Sequence, residues 1–254
     1  MQLGFGTGIL TAIPQLDAAG ATIANGTPVQ FGTMQEVTGD LSFEEKSLYG
    51  SGQFPIAVGR GKGKLTFKCK LAEIKAAILG DLFFGTAAEP GSRQAVNNFS
   101  ATLDDEAPYA VTVTPPSSGT FLTDLGVRDG VTGLALTKVA ITDTVAAGEY
   151  QVSAAGVYTF HSTMAEKRVL ISYEYSSTGG STIVISNQLM GEAPFFSVQL
   201  MSRYKGKHLT LSLNSCTSNK FSLPFKSDDF FIPDFEFSAM ADDAGIVGYL
   251  SLAE

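Results

Sequence analysis

The sequence predicts a mainly β, antiparallel fold: a sandwich or barrel with one flanking α-helix, an extended β-hairpin and an inserted β-rich region. Three observations predict it. Many short segments alternate apolar and polar residues, the two-residue period of a half-buried strand. Turn-forming residues punctuate those segments, with 27 glycines and 10 prolines in 254 residues, as hairpins and reverse turns require. Only one stretch carries a helical apolar period.

Residues 1–34 are rich in Gly, Ala and Thr, with short strands expected at 9–13 and 28–31. The hairpin spans 35–70. In its first arm Val37, Leu41 and Phe43 share one face, and Asp40, Ser42 and Glu44 share the other. In the second arm Leu65, Phe67 and Cys69 alternate with Lys64, Thr66, Lys68 and Lys70. Folding the arms together sets acidic positions opposite basic ones, a favourable cross-strand arrangement. The tip carries Leu48, Tyr49, Phe54 and Pro55, apolar residues with little reason to meet water unless something covers them. On the residues alone, they either fold back onto their own domain or meet a partner.

The helix is expected at 70–84, where Leu71, Ile74, Ala77, Ile78 and Leu82 form an apolar stripe that Gly85 can end. Residues 86–106 read as a linker or long loop. Strands are expected at 110–114, 134–142, 149–152, 157–160 and 169–175, then at 182–186, 195–204, 209–214, 221–224 and 235–239. A final strand lies within 245–252. Asp129-Gly130, Gly179-Gly180 and Gly206-Lys207 mark turns. This order suggests a core of residues 1–95 with 177–254, interrupted by a β-rich insertion at 96–176. No tandem repeat is present.

The net charge of −8 and isoelectric point near 4.8 oppose simple nucleic-acid binding, which needs cations for phosphates. Cys69 and Cys216 admit a single long-range disulfide, but the place of Cys69 on an apolar strand face favours two buried thiols. The start at Met1 lacks the features of a signal peptide, and no apolar run is long enough for a bilayer. Gly4-Phe5-Gly6-Thr7-Gly8 neither follows a strand nor opens a helix, so it reads as a flexible arm and not a phosphate loop. Arg60, Lys62 and Lys64, spaced by glycines, lead into a strand and read as a solvated hairpin arm. His161 and His208 are the only histidines, too few for a histidine metal site or a catalytic pair without further partners. The acids at Asp104-Asp105-Glu106, Asp228-Asp229 and Asp242-Asp243 read as hydrated loop residues, although Asp228-Asp229 beside Phe230 and Phe231 leaves a hydrolytic role open. The expectation is a chain without catalytic residues, cofactor or metal.

Several runs occur together in a telling order: Glu36-Val37-Thr38-Gly39-Asp40-Leu41-Ser42-Phe43, Leu48-Tyr49-Gly50, Gln53-Phe54-Pro55 and Gly59-Arg60-Gly61-Lys62-Gly63-Lys64, all before a short helix. A second set follows at Gly148-Glu149-Tyr150-Gln151-Val152, Gly156-Val157-Tyr158-Thr159-Phe160, Val169-Leu170-Ile171-Ser172-Tyr173-Glu174-Tyr175 and Ser186-Asn187-Gln188-Leu189-Met190-Gly191. In this order they resemble the major tail tube protein of long non-contractile-tailed (siphovirus-type) bacteriophages.

The resemblance implies six subunits per ring and rings stacked into a hollow tube. Strands join edge to edge between subunits, and the hairpin bridges to the next ring through Leu48, Tyr49, Phe54 and Pro55. Double-stranded DNA passes down the bore without being specifically bound, past acids such as Asp40, Glu44 and Glu45. A tail tape-measure protein and tail tip and terminator proteins are the implied further partners. The implied location is the virion tail, assembled in the host cytoplasm, with no membrane partner. The insertion would decorate the exterior, since inside the bore it would block passage. The alternative is a β-sandwich binding module, an adhesin or carbohydrate-binding domain, monomeric or nearly so.

Overall fold

The computed structural model describes residues 6–253, and the readings made of Met1 and of the first two residues of the glycine-rich arm fall outside them. Fifteen strands run in chain order. They are β1 (Ile9–Leu16), β2 (Val29–Gln30), β3 (Met34–Tyr49), β4 (Pro55–Leu71) and β5 (Glu89–Thr102). Next come β6 (Ala110–Thr112), β7 (Thr120–Asp129), β8 (Thr137–Lys138), β9 (Glu149–Val152) and β10 (Val157–Phe160). The last are β11 (Arg168–Thr182), β12 (Phe195–Tyr204), β13 (Lys207–Ser222), β14 (Asp234–Met240) and β15 (Gly248–Leu252). The fold is therefore mainly β, and its pairings are antiparallel except for the short β8–β9 pair. The chain divides into two compact units, 1–88 with 183–254, and 89–182.

The first unit is one eight-stranded sheet in the order β2-β1-β12-β13-β14-β4-β3, with β15 beside β13. Strand β13 is long enough to carry β14 along Ser215–Ser222 and β15 along Leu209–Leu213. Both lie on the edge that β12 leaves free. Alternation turns Phe196 and Val198 of β12, and Phe235 and Phe237 of β14, into a core with Leu10, Phe31, Phe67, Cys69 and Leu213. Phe67 stacks on Phe237 with centroids 5.2 Å apart, and Phe31 meets Phe235 edge-on at 5.4 Å, geometries favoured by the ring quadrupoles. A short helix, Ile78–Phe84, lays Ile78 and Leu82 on this core. Its turns are wide: the Gly85 N–H reaches back five residues to the Gly80 carbonyl, and Gly85 ends it at φ 65°.

The second unit has two sheets, β6-β10-β9-β8 and β5-β11-β7. They share a core built from Tyr150, Tyr158 and Phe160 on one sheet and Val127, Val169, Ile171 and Tyr173 on the other. At one point this core holds a carboxylate. The side chain of Asp124 is only 3% exposed. It accepts hydrogen bonds from the hydroxyls of Tyr150 (2.9 Å) and Tyr158 (3.0 Å) and from the Gly126 N–H (3.0 Å). Lys138 Nζ lies 3.1 Å away. Burial pushes the carboxyl pKa up, but these partners outweigh it and hold the group below the usual carboxylate range. Burial, with the neighbouring Asp124 charge, pushes both tyrosines up.

Several expectations are corrected. The helix does not begin at residue 70, because Leu71 is still strand: it pairs with Met34 and its N–H donates to the Pro233 carbonyl at 2.9 Å. Residues 86–106 are not a linker, since most of them form β5, paired along its length with β11. The expected 182–186 strand is absent, because its apolar run has no partner and Val184 and Ile185 face water. Gly179-Gly180 is not a turn but part of β11, at a register shift that lets pairing resume at Ser181–Pro90. The 134–142 strand shrinks to β8, and the separate 209–214 and 221–224 strands are one continuous β13. Strand β7 was not expected at all. The cysteines form no disulfide, and both are fully buried.

Candidate functional site

The hairpin β3–β4 extends beyond the strands that flank it. Strand β14 supports β4 only from Lys70 to Leu65, where Ala239 is the last partner. Beyond the Leu41–Leu65 pair, Ser42–Tyr49 and Pro55–Lys64 continue as a two-stranded ribbon. At strand rise the ribbon is about 25 Å long. No third strand pairs with it among the described residues. A lone two-stranded ribbon is marginal in water, so its persistence calls for something to cover it.

The register sorts its two faces. On the polar face Glu36 sits opposite Lys70 and bonds it at 2.5 Å, Thr38 sits opposite Lys68, and Asp40 opposite Thr66. Lys68 also lies 3.2 Å from Asp234 and 3.5 Å from Glu236. The Lys70 hydrogen bond and charge hold the Glu36 carboxyl below its ordinary pKa. On the other face Val37 and Phe67 meet the core, but Leu41 and Phe43 lie beyond it and are exposed. An extra residue in β4 near Gly61 and Lys62 shifts the register, so that Glu45 opposes Arg60, and the Arg60 guanidinium lies 4.9 Å from the Phe43 ring centre.

At the tip Leu48, Tyr49 and Phe54 are exposed, Phe54 to 83%, while Pro55 is half-buried opposite Tyr49. Ile56 (72% exposed) and Val58 extend the apolar surface beyond the residues singled out from sequence. The Ile56 side chain lies against Gly50, where a Cβ would fall 2.3 Å from its Cδ1 atom and push that exposed side chain aside. Asp40, Glu44 and Glu45 are all exposed along the shaft and do not converge with the tip. They share the ribbon with Lys46, Arg60, Lys62 and Lys64.

Two further features adjoin the hairpin. Among the described residues strand β3 pairs only with β4, so beyond Met34, whose carbonyl accepts from the Thr7 hydroxyl, its outer backbone edge has no strand beside it, the kind of edge another strand completes. Where β4 parts from β15, a groove of about 500 Å³ opens, lined by Leu41, Phe43, Leu65, Leu213, Val247, Tyr249 and Leu250.

The candidate chemical groups stay apart. Among the described residues no three His, Cys, Asp or Glu side chains gather as a metal site. Asp242 is occupied in holding its own loop, accepting from the Ala244 and Ile246 N–H groups and from Asn214. Asp229 accepts from the Phe230 N–H and pairs with Lys226 at 3.3 Å. His161 caps the turn at Thr163. A depression of about 790 Å³ beside β1 is lined by Asn25, Asn214, Asp242 and Asp243 with other polar and apolar residues, and none of its lining residues is histidine, cysteine or lysine. Among the described residues no helix is long and apolar enough to cross a membrane.

The sequence reading missed Phe225 and Phe230, exposed to 85% and 87% in the loop between β13 and β14, and Leu189 and Met190 in the segment before β12. The signal for the first pair was present in Phe225-Lys226-Ser227-Asp228-Asp229-Phe230-Phe231: aromatics inside a polar turn, the pattern that marked the hairpin tip. Neither the scan against protein-family models nor the search of curated proteins found a match for this chain.

Proposed function

We propose that the chain is a structural subunit that polymerises with copies of itself, as the major tail tube subunit of a long non-contractile-tailed phage: rings of six, stacked into a conduit for double-stranded DNA. The observation that carries this reading is the ribbon of β3 and β4, which leaves its sheet and ends in exposed Leu48, Tyr49, Phe54 and Ile56. A monomer has no use for such an arm, and a neighbouring subunit that covers it does. The open edge of β3 supports the same reading, because ring closure removes open edges by pairing each with the next subunit. In this reading the polar face of the hairpin turns towards the bore, where Asp40 and Glu44 add to a net charge of −8 per chain, whereas Glu45 alternates onto the face of Leu41 and Phe43. The cross-strand Lys64, Lys68 and Lys70 offset part of that charge, so in this reading the repulsion of phosphate rests on the acidity of the whole chain. Tape-measure, tip and terminator proteins would meet the tube at its bore and ends.

Negative-stain microscopy and sedimentation of the purified chain test the proposal. The expected result is rings and hollow filaments that lengthen with concentration. A protein that stays monomeric at high concentration overturns it and favours the β-sandwich binding module. Exchanging Asp40 and Glu44 for lysine in virions should slow DNA ejection and make it salt-dependent.

A further inference from the structure

We infer that the hairpin tip of one copy docks on the 223–233 loop of the next, so that the chain associates head to tail along its own strand direction. This rests on the self-assembly proposed above and adds the missing half of that contact, the receiving surface.

Placement is the first argument. Strand β14 opens at Asp234 opposite Lys70, and the Pro233 carbonyl accepts from the Leu71 N–H. The loop before β14 therefore sits at the base of the hairpin. The tip lies fifteen residues further along β4, from Lys70 to Pro55, which is roughly 50 Å at strand rise. Apolar surface thus stands at both ends of one sheet, with Leu48, Tyr49, Phe54 and Ile56 at one and Phe225 and Phe230 at the other. Phe225 stacks on Phe231 with centroids 5.1 Å apart, a preformed aromatic ledge. The fully exposed Met190 precedes β12, whose first residue pairs with Thr217 near the same end.

Charge is the second argument, and it selects a second copy as the occupant. The ribbon carries four cations, Lys46, Arg60, Lys62 and Lys64, against Glu44 and Glu45. The loop carries Asp228 and Asp229 against Lys226. Lys226 pairs with Asp229, and Asp228 makes no ion pair among the described residues. A cationic arm with an apolar tip thus complements an acidic loop with an aromatic ledge. A contact between two different patches of the same chain is heterologous, and repeated along the strand axis it continues without closing. Stacking requires that property.

Cysteine cross-linking tests the contact. Phe54 and Phe230 are exposed, so Phe54→Cys and Phe230→Cys leave the fold intact. The native thiols give no background, since Cys69 and Cys216 are fully buried and burial pushes both up to about 12. Oxidised assemblies of the double variant should run as a ladder on non-reducing gels, and a mixture of the two single variants should give dimers only. Tip-to-tip dimers of Phe54→Cys alone overturn the inference. Cross-linking of Phe54→Cys to Tyr249→Cys overturns it too, by placing the tip in the groove beside β15. If the wild type assembles but the double variant gives no ladder, the docking assignment falls and self-assembly stands. If the wild type never assembles, both fall. As a second readout, Asp228→Lys with Asp229→Lys should raise the assembly threshold at least tenfold at low salt, and Arg60→Glu with Lys62→Glu should restore it. Failure of that rescue also counts against the contact.

Discussion

Removing the apolar tip should weaken association strongly and leave the monomer untouched. The sharpest perturbation is Phe54→Ser with Ile56→Ser. Complete burial of such a side chain is worth about 1.5–3 kcal/mol. At 83% and 72% exposure, most of that value is still unrealised in the single chain. A covering partner would gain about 2 kcal/mol from each. Immobilising the side chains takes back part of this, leaving about 3 kcal/mol for the pair. With tenfold per 1.4 kcal/mol, the association constant falls about a hundredfold. A concentration series by light scattering and sedimentation velocity reads this as a shift in the assembly threshold. Thermal unfolding of the monomer should hardly move, because exposed substitutions typically change stability by less than about 0.5 kcal/mol. The reasoning fails if the threshold moves less than about threefold. It also fails if the melting temperature drops by several degrees, since the residues would then serve their own domain.

Three further outcomes follow from the cores. Asp124→Ala leaves two buried tyrosine hydroxyls without their acceptor, while the half-exposed Lys138 turns to water, and should cost the second unit about 2–4 kcal/mol in chemical denaturation. The Asp124 carboxyl titrates below its ordinary 3.8, so the stability from its ionised form is complete above about pH 4 and is lost as pH falls through the folded value. Asp124→Asn should therefore flatten the acid limb of a stability profile. Cys69 and Cys216, buried and unpaired, should resist thiol reagents in the native protein and react fully on unfolding. Gly85→Ala places a Cβ 2.5 Å from the Ala18 backbone nitrogen at a left-handed φ and should lower stability by more than about 1 kcal/mol in thermal melts.

Strands β9, β10 and β12 were legible to the residue because their alternation is unbroken, as in Val157-Tyr158-Thr159-Phe160. The elements that hid are those whose pairing overrides composition. Strand β5 contains Glu89-Pro90-Gly91-Ser92 and Asn97-Asn98, turn chemistry by any local rule, yet β11 supplies its hydrogen bonds. Strand β7 loses its period at Gly126, where the pairing with β11 shifts register. In the other direction, Ile183-Val184-Ile185 has strand composition and no neighbour to make it one. Of the expected helical stripe only Ala77, Ile78 and Leu82 serve the helix, because Leu71 belongs to the sheet and Ile74 is exposed ahead of it. The hairpin tip was legible because apolar residues in a turn contradict their surroundings. The 223–233 loop shows the same contradiction, but there Asp228 and Asp229 supply the polar character of an ordinary turn.

The second unit is entered at Glu89 and left at Thr182, and those two residues are strand partners. Its doorway is therefore a single gap between adjacent strands, roughly 5 Å wide. A cassette of ninety-four residues with such a doorway can be cut out and replaced by a short link from Ala88 to Ile183, or exchanged for another module, without re-routing either half of the host sheet. Grafting and deletion at that seam are thus open to engineering, and the same economy would let the chain lose or exchange this unit while the first sheet keeps its strand order.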